Sequence, residues 1–251
     1  MAGVDGRVAL VTGAGRGIGR VTAELMASRG ARVMAAARTE DELRALDLDY
    51  VVADLGTPEG CAWAVEETRK RLGPVEILVC NHGIGSAHER VIWEQDHETW
   101  RESMRINLDG PFYLSRLAVA DMIKGGYGRV VFTSSTAGLV AEFAGSAYNS
   151  SKHGLLGLMR SVAQDAGPHG VTSNAVLPGW VRTPMSELSA ETEARDRGIS
   201  TTEIWAERDA LHPPGRTATP EEVAEVIAFL ASDESSGVSG EAIRVALGSI
   251  W

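Results

Sequence analysis

The chain has 251 residues, 44% of them hydrophobic and 23% charged, a balance that suits a compact globular protein with a sizeable core and excludes a disordered or fibrous chain. With 34 acidic against 24 basic residues the formal net charge is -10, which disfavours nucleic acid or an anionic membrane surface as a partner. Two cysteines, Cys61 and Cys80, stand without a CxxC pair or flanking histidines, so neither a disulfide framework nor a zinc site is indicated.

The opening MAGVDGRVALVTG lacks the charged segment, apolar run and small-residue site of a secretory signal. No window reaches about 18 uncharged apolar residues. A cytoplasmic location is therefore expected. The first strand is predicted over Val8 to Val11 and runs into Gly13-Ala14-Gly15-Arg16-Gly17-Ile18-Gly19, followed by a helix-compatible stretch from Arg20 to Ser28. A strand, a glycine turn and a helix in this order are what a dinucleotide pyrophosphate needs, because glycine allows close backbone approach and the helix N-terminus favours the anion. The plainer reading, a turn that only joins strand to helix, does not account for this context.

The second strand, Val33 to Ala37, ends at Arg38. A chain that binds NAD usually offers an acidic residue about 20 positions past the glycine turn, to hold the ribose 2′-hydroxyl. Here no carboxylate occurs before Glu40, and Arg38 presents a planar cation suited to a 2′-phosphate, with Arg16 as a second charge. Either arginine alone could be a solvated surface residue. Together they favour NADP(H), with NAD(H) as the alternative.

A third strand, Val51 to Ala53, leads to Asp54-Leu55, and Thr57-Pro58 starts a helix that runs through about Leu72 before Gly73-Pro74. Asp54 reads equally as a helix or turn cap. The fourth strand, Ile77 to Cys80, is followed by Asn81-His82-Gly83, and the fifth, Val130 to Thr133, by Ser134-Ser135. In Tyr148-Asn149-Ser150-Ser151-Lys152 a phenol and an ammonium stand four residues apart on one helix face. The cation, together with oxidised nicotinamide, stabilises the phenolate and lowers the phenol's pKa toward a useful acid–base range. A surface Tyr–Lys pair is the bland reading, which gains no support from Ser135 standing upstream at a strand end.

A sixth strand, Val171 to Leu177, precedes Pro178-Gly179-Trp180-Val181-Arg182-Thr183-Pro184. Met185 to Arg216 has no strand pattern and reads as a substrate lid or a disordered loop. Thr219-Pro220 starts another helix through about Ala231, and Ile243 to Leu247 forms the seventh strand before the tail ending in Ile250-Trp251. Near-continuous apolar strands alternating with helices, and no linker, predict one α/β domain over 1–251: a doubly wound, Rossmann-like parallel sheet of about seven strands flanked by helices.

The spacing Thr12-Gly13 through Gly17-Ile18-Gly19, together with Asn81, Gly83, Asn107, Ser135, Tyr148 and Lys152 in this order, resembles the short-chain dehydrogenase/reductase family over nearly the whole chain. The resemblance implies an enzyme that interconverts a ketone and a secondary alcohol by hydride exchange with a nicotinamide, on its pro-S side. It makes Asn107, Ser135, Tyr148 and Lys152 the catalytic tetrad, with Ser134 as the competitor of Ser135. It places Gly13, Arg16, Gly17, Ile18, Gly19, Arg38, Asp54, Leu55, Asn81, Gly83, Tyr148, Lys152, Pro178, Gly179, Val181 and Thr183 around the cofactor, with Asp54 beside the adenine. His82 departs from the family, which has a small residue there.

For substrate, Leu139, Val140, Phe143, Trp180, Met185, Leu188, Ile204 and Trp205 are candidates for an apolar pocket or for ordinary packing. The segment from Thr202 to Trp205 looks like the lid of polyketide ketoreductases. The family's carrier-dependent 3-ketoacyl reductases use basic residues where this chain has Gly126 and His169, so a free, mostly apolar ketone is favoured. The family also implies a homotetramer. An NADP-sensing regulator without turnover, or an NAD-linked alcohol dehydrogenase, remains an alternative at this stage.

Overall fold

The computed structural model describes residues 3–86 and 89–249. Its elements, in chain order, are β1 (Val8–Thr12), α1 (Gly17–Ser28), β2 (Arg32–Ala37), α2 (Glu40–Arg44), β3 (Asp49–Val52), α3 (Pro58–Arg71), β4 (Ile77–Cys80) and α4 (His97–Met104). There follow α5 (Gly110–Gly125), β5 (Gly128–Thr133), α6 (Ser146–Ala166), β6 (Val171–Pro178), α7 (Pro184–Arg197), α8 (Thr201–Ala210), α9 (Pro220–Leu230) and β7 (Ala242–Val245). The strands form one sheet in the order β3-β2-β1-β4-β5-β6-β7, and every pairing is parallel.

The apolar runs are strands because both sheet faces are covered. One core cluster packs α3, α5 and α6 on Leu10, Leu78, Val130 and Leu177. The other packs α1 and α9 on Val11, Val79, Val131 and Val176. Alternate residues of β1, β4, β5 and β6 thus enter opposite layers, which is why these strands read as unbroken hydrophobic segments. The chain order reverses between β1 and β4, and a cleft opens there at the carboxyl ends of the strands, the place where such sheets receive ligands.

Met185 to Arg216, read as a lid or a disordered loop, is ordered and mostly helical, as α7 and α8, so the disordered alternative does not hold. Thr183 and Ser186 form a capping box at the start of α7, and Ser200 and Glu203 form another at α8. A small separate core of Ala190, Ala194, Ile204 and Trp205 holds the two helices together. Ile204 and Trp205 are therefore packing residues and do not face the cleft. Arg208, buried at 4% exposure, stacks 3.7 Å over Trp180 and 5.0 Å from Trp205, which fastens α8 to the segment after β6. Ile250 and Trp251 lie outside the described residues.

Candidate active site

The glycine turn is built by backbone constraint. Gly13 and Gly17 adopt φ values of 64° and 57°, in the left-handed region that side chains disfavour. A Cβ at Gly19 would collide with the Gly13 carbonyl, so the α1 N-terminus comes up tightly against the end of β1. Arg16, at the N-cap of α1, makes no side-chain cap, which leaves the first amides of the helix available to an anion. Thr12 ties this turn to β4: its hydroxyl donates to the Val79 carbonyl at 2.9 Å and accepts the Asn81 amide at 2.9 Å. The Asn81 side chain returns a bond to the Thr12 carbonyl at 3.2 Å.

Around the turn opens one cavity of about 830 Å³. Of the residues expected at the cofactor, Gly13, Arg16, Gly17, Ile18, Arg38, Asp54, Leu55, Asn81 and Gly83 line it at one end, and Pro178, Gly179, Val181 and Thr183 line it beyond the β6 end. Ser135, Tyr148 and Lys152 line it between. Gly19 and Asn107 sit behind the wall. The residues fit a dinucleotide with a 2′-phosphate: a glycine cradle at a helix N-terminus, two arginines beyond it, and polar groups at the far end.

Details depart from expectation. Arg16 is not a free cation, because Glu42 stands 3.5 Å from it and also lines the cavity. Although no carboxylate occurs between β2 and Glu40, α2 folds Glu42 back onto Gly15 and so brings an acidic side chain to this end. Both readings of Asp54 have support. It accepts the Gly56 amide at 3.0 Å, as a turn residue does, and lines the cavity while bonded to Arg105 at 3.0 Å. Burial raises its carboxyl pKa, but the Gly56 amide and Arg105 outweigh that, so it lies below the usual carboxylate value.

The His82 ring is directed toward Gly110, where a Cβ would stand 2.8 Å from Nε2, while Nδ1 lies 2.8 Å from the Thr12 hydroxyl. Burial first, and then the Lys152 charge, push its pKa down to about 3, so it is a neutral ring at ordinary pH.

Asn107 is fully buried in a π-helical turn, Arg105–Asp109, between α4 and α5. Such turns are rare and break the regular ladder. Its side chain bonds Ile84 and also donates to Ser151 Oγ at 3.1 Å. In this way it joins the loop after β4 to α6, one residue from Lys152.

Ser134 and Ser135 follow β5. The Ser134 hydroxyl donates to the Lys152 carbonyl at 3.1 Å, which commits it to the backbone of α6. Ser135 Oγ accepts the Ala137 amide at 3.1 Å, and its hydroxyl lies within hydrogen-bonding reach of the Tyr148 phenol, at the end of the site where a ligand oxygen would stand. The geometry favours Ser135. Lys152, 5% exposed, donates from Nζ to the Thr133 carbonyl at 3.0 Å and stands 5.6 Å from the Tyr148 ring centroid. Burial lowers its pKa to about 8.

The Tyr148 phenol is held above its ordinary pKa, first by burial and then by the charge of Glu142, with Ser135 pulling it down and Glu89 pushing it up. Without cofactor it is a neutral phenol. The lowering expected from the lysine cation together with oxidised nicotinamide concerns the cofactor-bound site.

Two residues here escaped the sequence reading. Glu89 accepts the Ala147 and Tyr148 amides at 2.9 and 2.6 Å, capping α6 at Tyr148. Glu142 lines the cavity beside it. Leu139, Val140 and Phe143, expected as pocket candidates, are exposed and do not line it, whereas Trp180, Met185 and Leu188 do. Gly126 and His169 lie before the amino ends of β5 and β6, at the opposite end of the sheet from Ser135.

Comparison with known proteins agrees with this arrangement. A family model described as enoyl-(acyl carrier protein) reductase matches residues 13–249. The 3-oxoacyl-(acyl-carrier-protein) reductase of Escherichia coli is 34% identical over 248 residues, 96% of each chain. A putative ketoacyl reductase of the monensin polyketide synthase of Streptomyces virginiae is 34% identical over 250 residues, 95% of each. Among solved structures, a point variant of actinorhodin polyketide ketoreductase with NADPH superimposes with a TM-score of 0.92 at 33% identity, covering 100% of both chains. Levodione reductase gives 0.92 at 29% identity, covering 97% of both. By sequence over nearly its full length and by fold, this chain belongs to the short-chain dehydrogenase/reductase family.

Proposed function

We propose that this protein is an NADP(H)-dependent oxidoreductase that interconverts a ketone and a secondary alcohol, with Tyr148 as the proton donor in reduction and acceptor in oxidation. The observation that carries the reading is that Ser135, Tyr148 and Lys152 share one cavity with a glycine cradle and the arginines Arg16 and Arg38. A nicotinamide bound in this cavity would supply or accept the hydride at the carbon of the substrate.

The chain's own residues do the rest. Ser135 donates its hydroxyl proton in a hydrogen bond to the carbonyl oxygen and fixes its position beside the Tyr148 phenol. Tyr148, held neutral by burial, gives that oxygen a proton as the alcohol forms. Lys152 keeps a cation beside the phenol, anchored on Thr133, and can reach the cofactor ribose. Asn107 holds the loop after β4 against α6. Val181 and Thr183 are assigned to the nicotinamide carboxamide, and the family resemblance supports pro-S transfer.

Arg38 has no ion-pair partner among the described residues and is available to a 2′-phosphate. We assign the whole chain to one cofactor-binding and catalytic domain, with Met185 and Leu188 of α7 over the substrate end. The exposed Trp100 and Phe112 on α4 and α5 support assembly through those helices into a homotetramer. No helix among the described residues is long and apolar enough to cross a membrane, which is compatible with a cytoplasmic setting.

The test is NADPH absorbance in the presence of a ketone panel. A ketone-dependent decrease supports the reading. NADPH binding without turnover of any ketone favours a sensing role instead. A 3-ketoacyl thioester is the second substrate reading, favoured by the names of two relatives.

A further inference from the structure

The reading of the site as a ketone reductase leaves its substrate class open, and the charges of the cavity bear on that question. Among the described residues, the cations that line it are Arg16 and Arg38, at the 2′-phosphate end, and Lys152, behind Tyr148. Near Tyr148 the charged side chains facing the cavity are the carboxylates Glu89 and Glu142. The two are not equivalent. Glu89 is neutralised in part by the α6 amides that it caps.

Glu142 has no hydrogen-bond or ion-pair partner for its carboxylate among the described residues. Burial raises its pKa and the charge of Arg208 lowers it, but the Arg208 guanidinium is bonded to the Ser186 carbonyl, Ser189 and Glu193. Glu142 is also held in place. Its carbonyl accepts the Asn149 side chain at 3.0 Å, next in sequence to Tyr148, and Ala144 turns the chain with φ of 50° to enter α6. The same end of the cavity carries Trp180, Met185 and Leu188.

We propose that Glu142 is a specificity-determining residue that selects ketones carrying a positive charge on an otherwise apolar body and rejects carboxylates. A half-buried carboxylate without a partner attracts a cation and repels an anion more strongly than it would in water.

The charge also acts on the chemistry. Transfer of the Tyr148 proton to the carbonyl oxygen, with hydride supplied to the carbon by NADPH, leaves a phenolate beside Glu142. A substrate cation seated on Glu142 offsets that repulsion, so the preference enters kcat as well as KM. An anionic substrate adds to it. Burial first, and then the charges of Glu142 and Glu89, hold the phenol above its ordinary pKa, the carboxylates acting in the same sense as an anionic substrate.

The experiment uses three methyl ketones of matched length: one ending in trimethylammonium, its neutral tert-butyl isostere, and one ending in carboxylate. Steady-state kinetics with NADPH are measured on wild type and on Glu142→Gln, and NADPH affinity is titrated separately. Wild type should favour the cation over the isostere by about tenfold in kcat/KM and disfavour the carboxylate by a similar factor. In Glu142→Gln the three should converge to within about twofold.

Equal handling of cation and isostere by wild type overturns the inference, as does a preference that survives in Glu142→Gln. The wild-type comparison stands without the variant, should Glu142→Gln not fold. Failure to reduce any of the three while NADPH still binds overturns the ketone-reductase reading itself, and this inference with it.

Discussion

The Asn107 carboxamide grips the backbone of Ile84 at two points, accepting its amide at 2.8 Å and donating to its carbonyl at 3.0 Å. Ile84 lines the cavity immediately after Asn81 and Gly83, so the clamp sets the position of the loop against which a cofactor would rest.

Asn107→Ala removes both bonds and the one to Ser151, leaving peptide groups without partners in the interior. A loss of about 2–4 kcal/mol of folding stability is expected, together with weakened cofactor binding. Urea denaturation of the variant measures it. A change below about 0.5 kcal/mol would show that the clamp is redundant.

For cofactor choice, a 2′-phosphate needs fixed cations to replace its water. Arg38 is available, whereas Arg16 is shared with Glu42 in an exposed ion pair of little energetic weight. With each charge-assisted contact worth about 1.5–3 kcal/mol, Arg38→Ala should weaken NADPH binding by roughly one to two powers of ten and leave NADH much less affected. Paired cofactor titrations decide it. Equal losses for both cofactors, or a wild type that prefers NADH, would place Arg38 elsewhere in function.

The buried Lys152 ammonium gives a pH signature. Burial lowers its pKa to about 8 in the folded protein, so between pH 8 and the ordinary lysine value of about 10.4 the unfolded chain holds a proton that the folded chain has released. Stability from this group therefore grows as pH rises through that window, by up to about 1.4 kcal/mol per unit, and is absent below it. Wild type minus Lys152→Met should show this slope in denaturation free energies, where other titrations cancel. Parallel curves would mean that Lys152 titrates normally.

Much of this was legible in the sequence, for physical reasons. The strands stood out because both sheet faces are covered, and Val8, Ile77 and Val171 start or fall within one residue of the elements that they announced. The glycine turn and the Tyr148–Lys152 pair could be read because their chemistry demands fixed spacing. The helices α7 and α8 were missed because their buried residues are few, Ala190, Ala194, Ile204 and Trp205, amid many charges. The signal that would have found them was the capping chemistry of Thr183 with Ser186 and of Ser200 with Glu203. Glu89, Glu142 and the Glu42–Arg16 contact were not legible because they depend on loops folding back onto distant elements, which no local pattern encodes.

The central claim is that Tyr148 is the proton donor and that the cofactor is held independently of it. The most direct measurement is Tyr148→Phe, read by NADPH binding, by circular dichroism and by ketone reduction with the best ketone of the panel. Loss of turnover by at least about 10²-fold, with NADPH affinity and fold retained, is the predicted result. Ordinary turnover in a folded Tyr148→Phe protein would contradict the account.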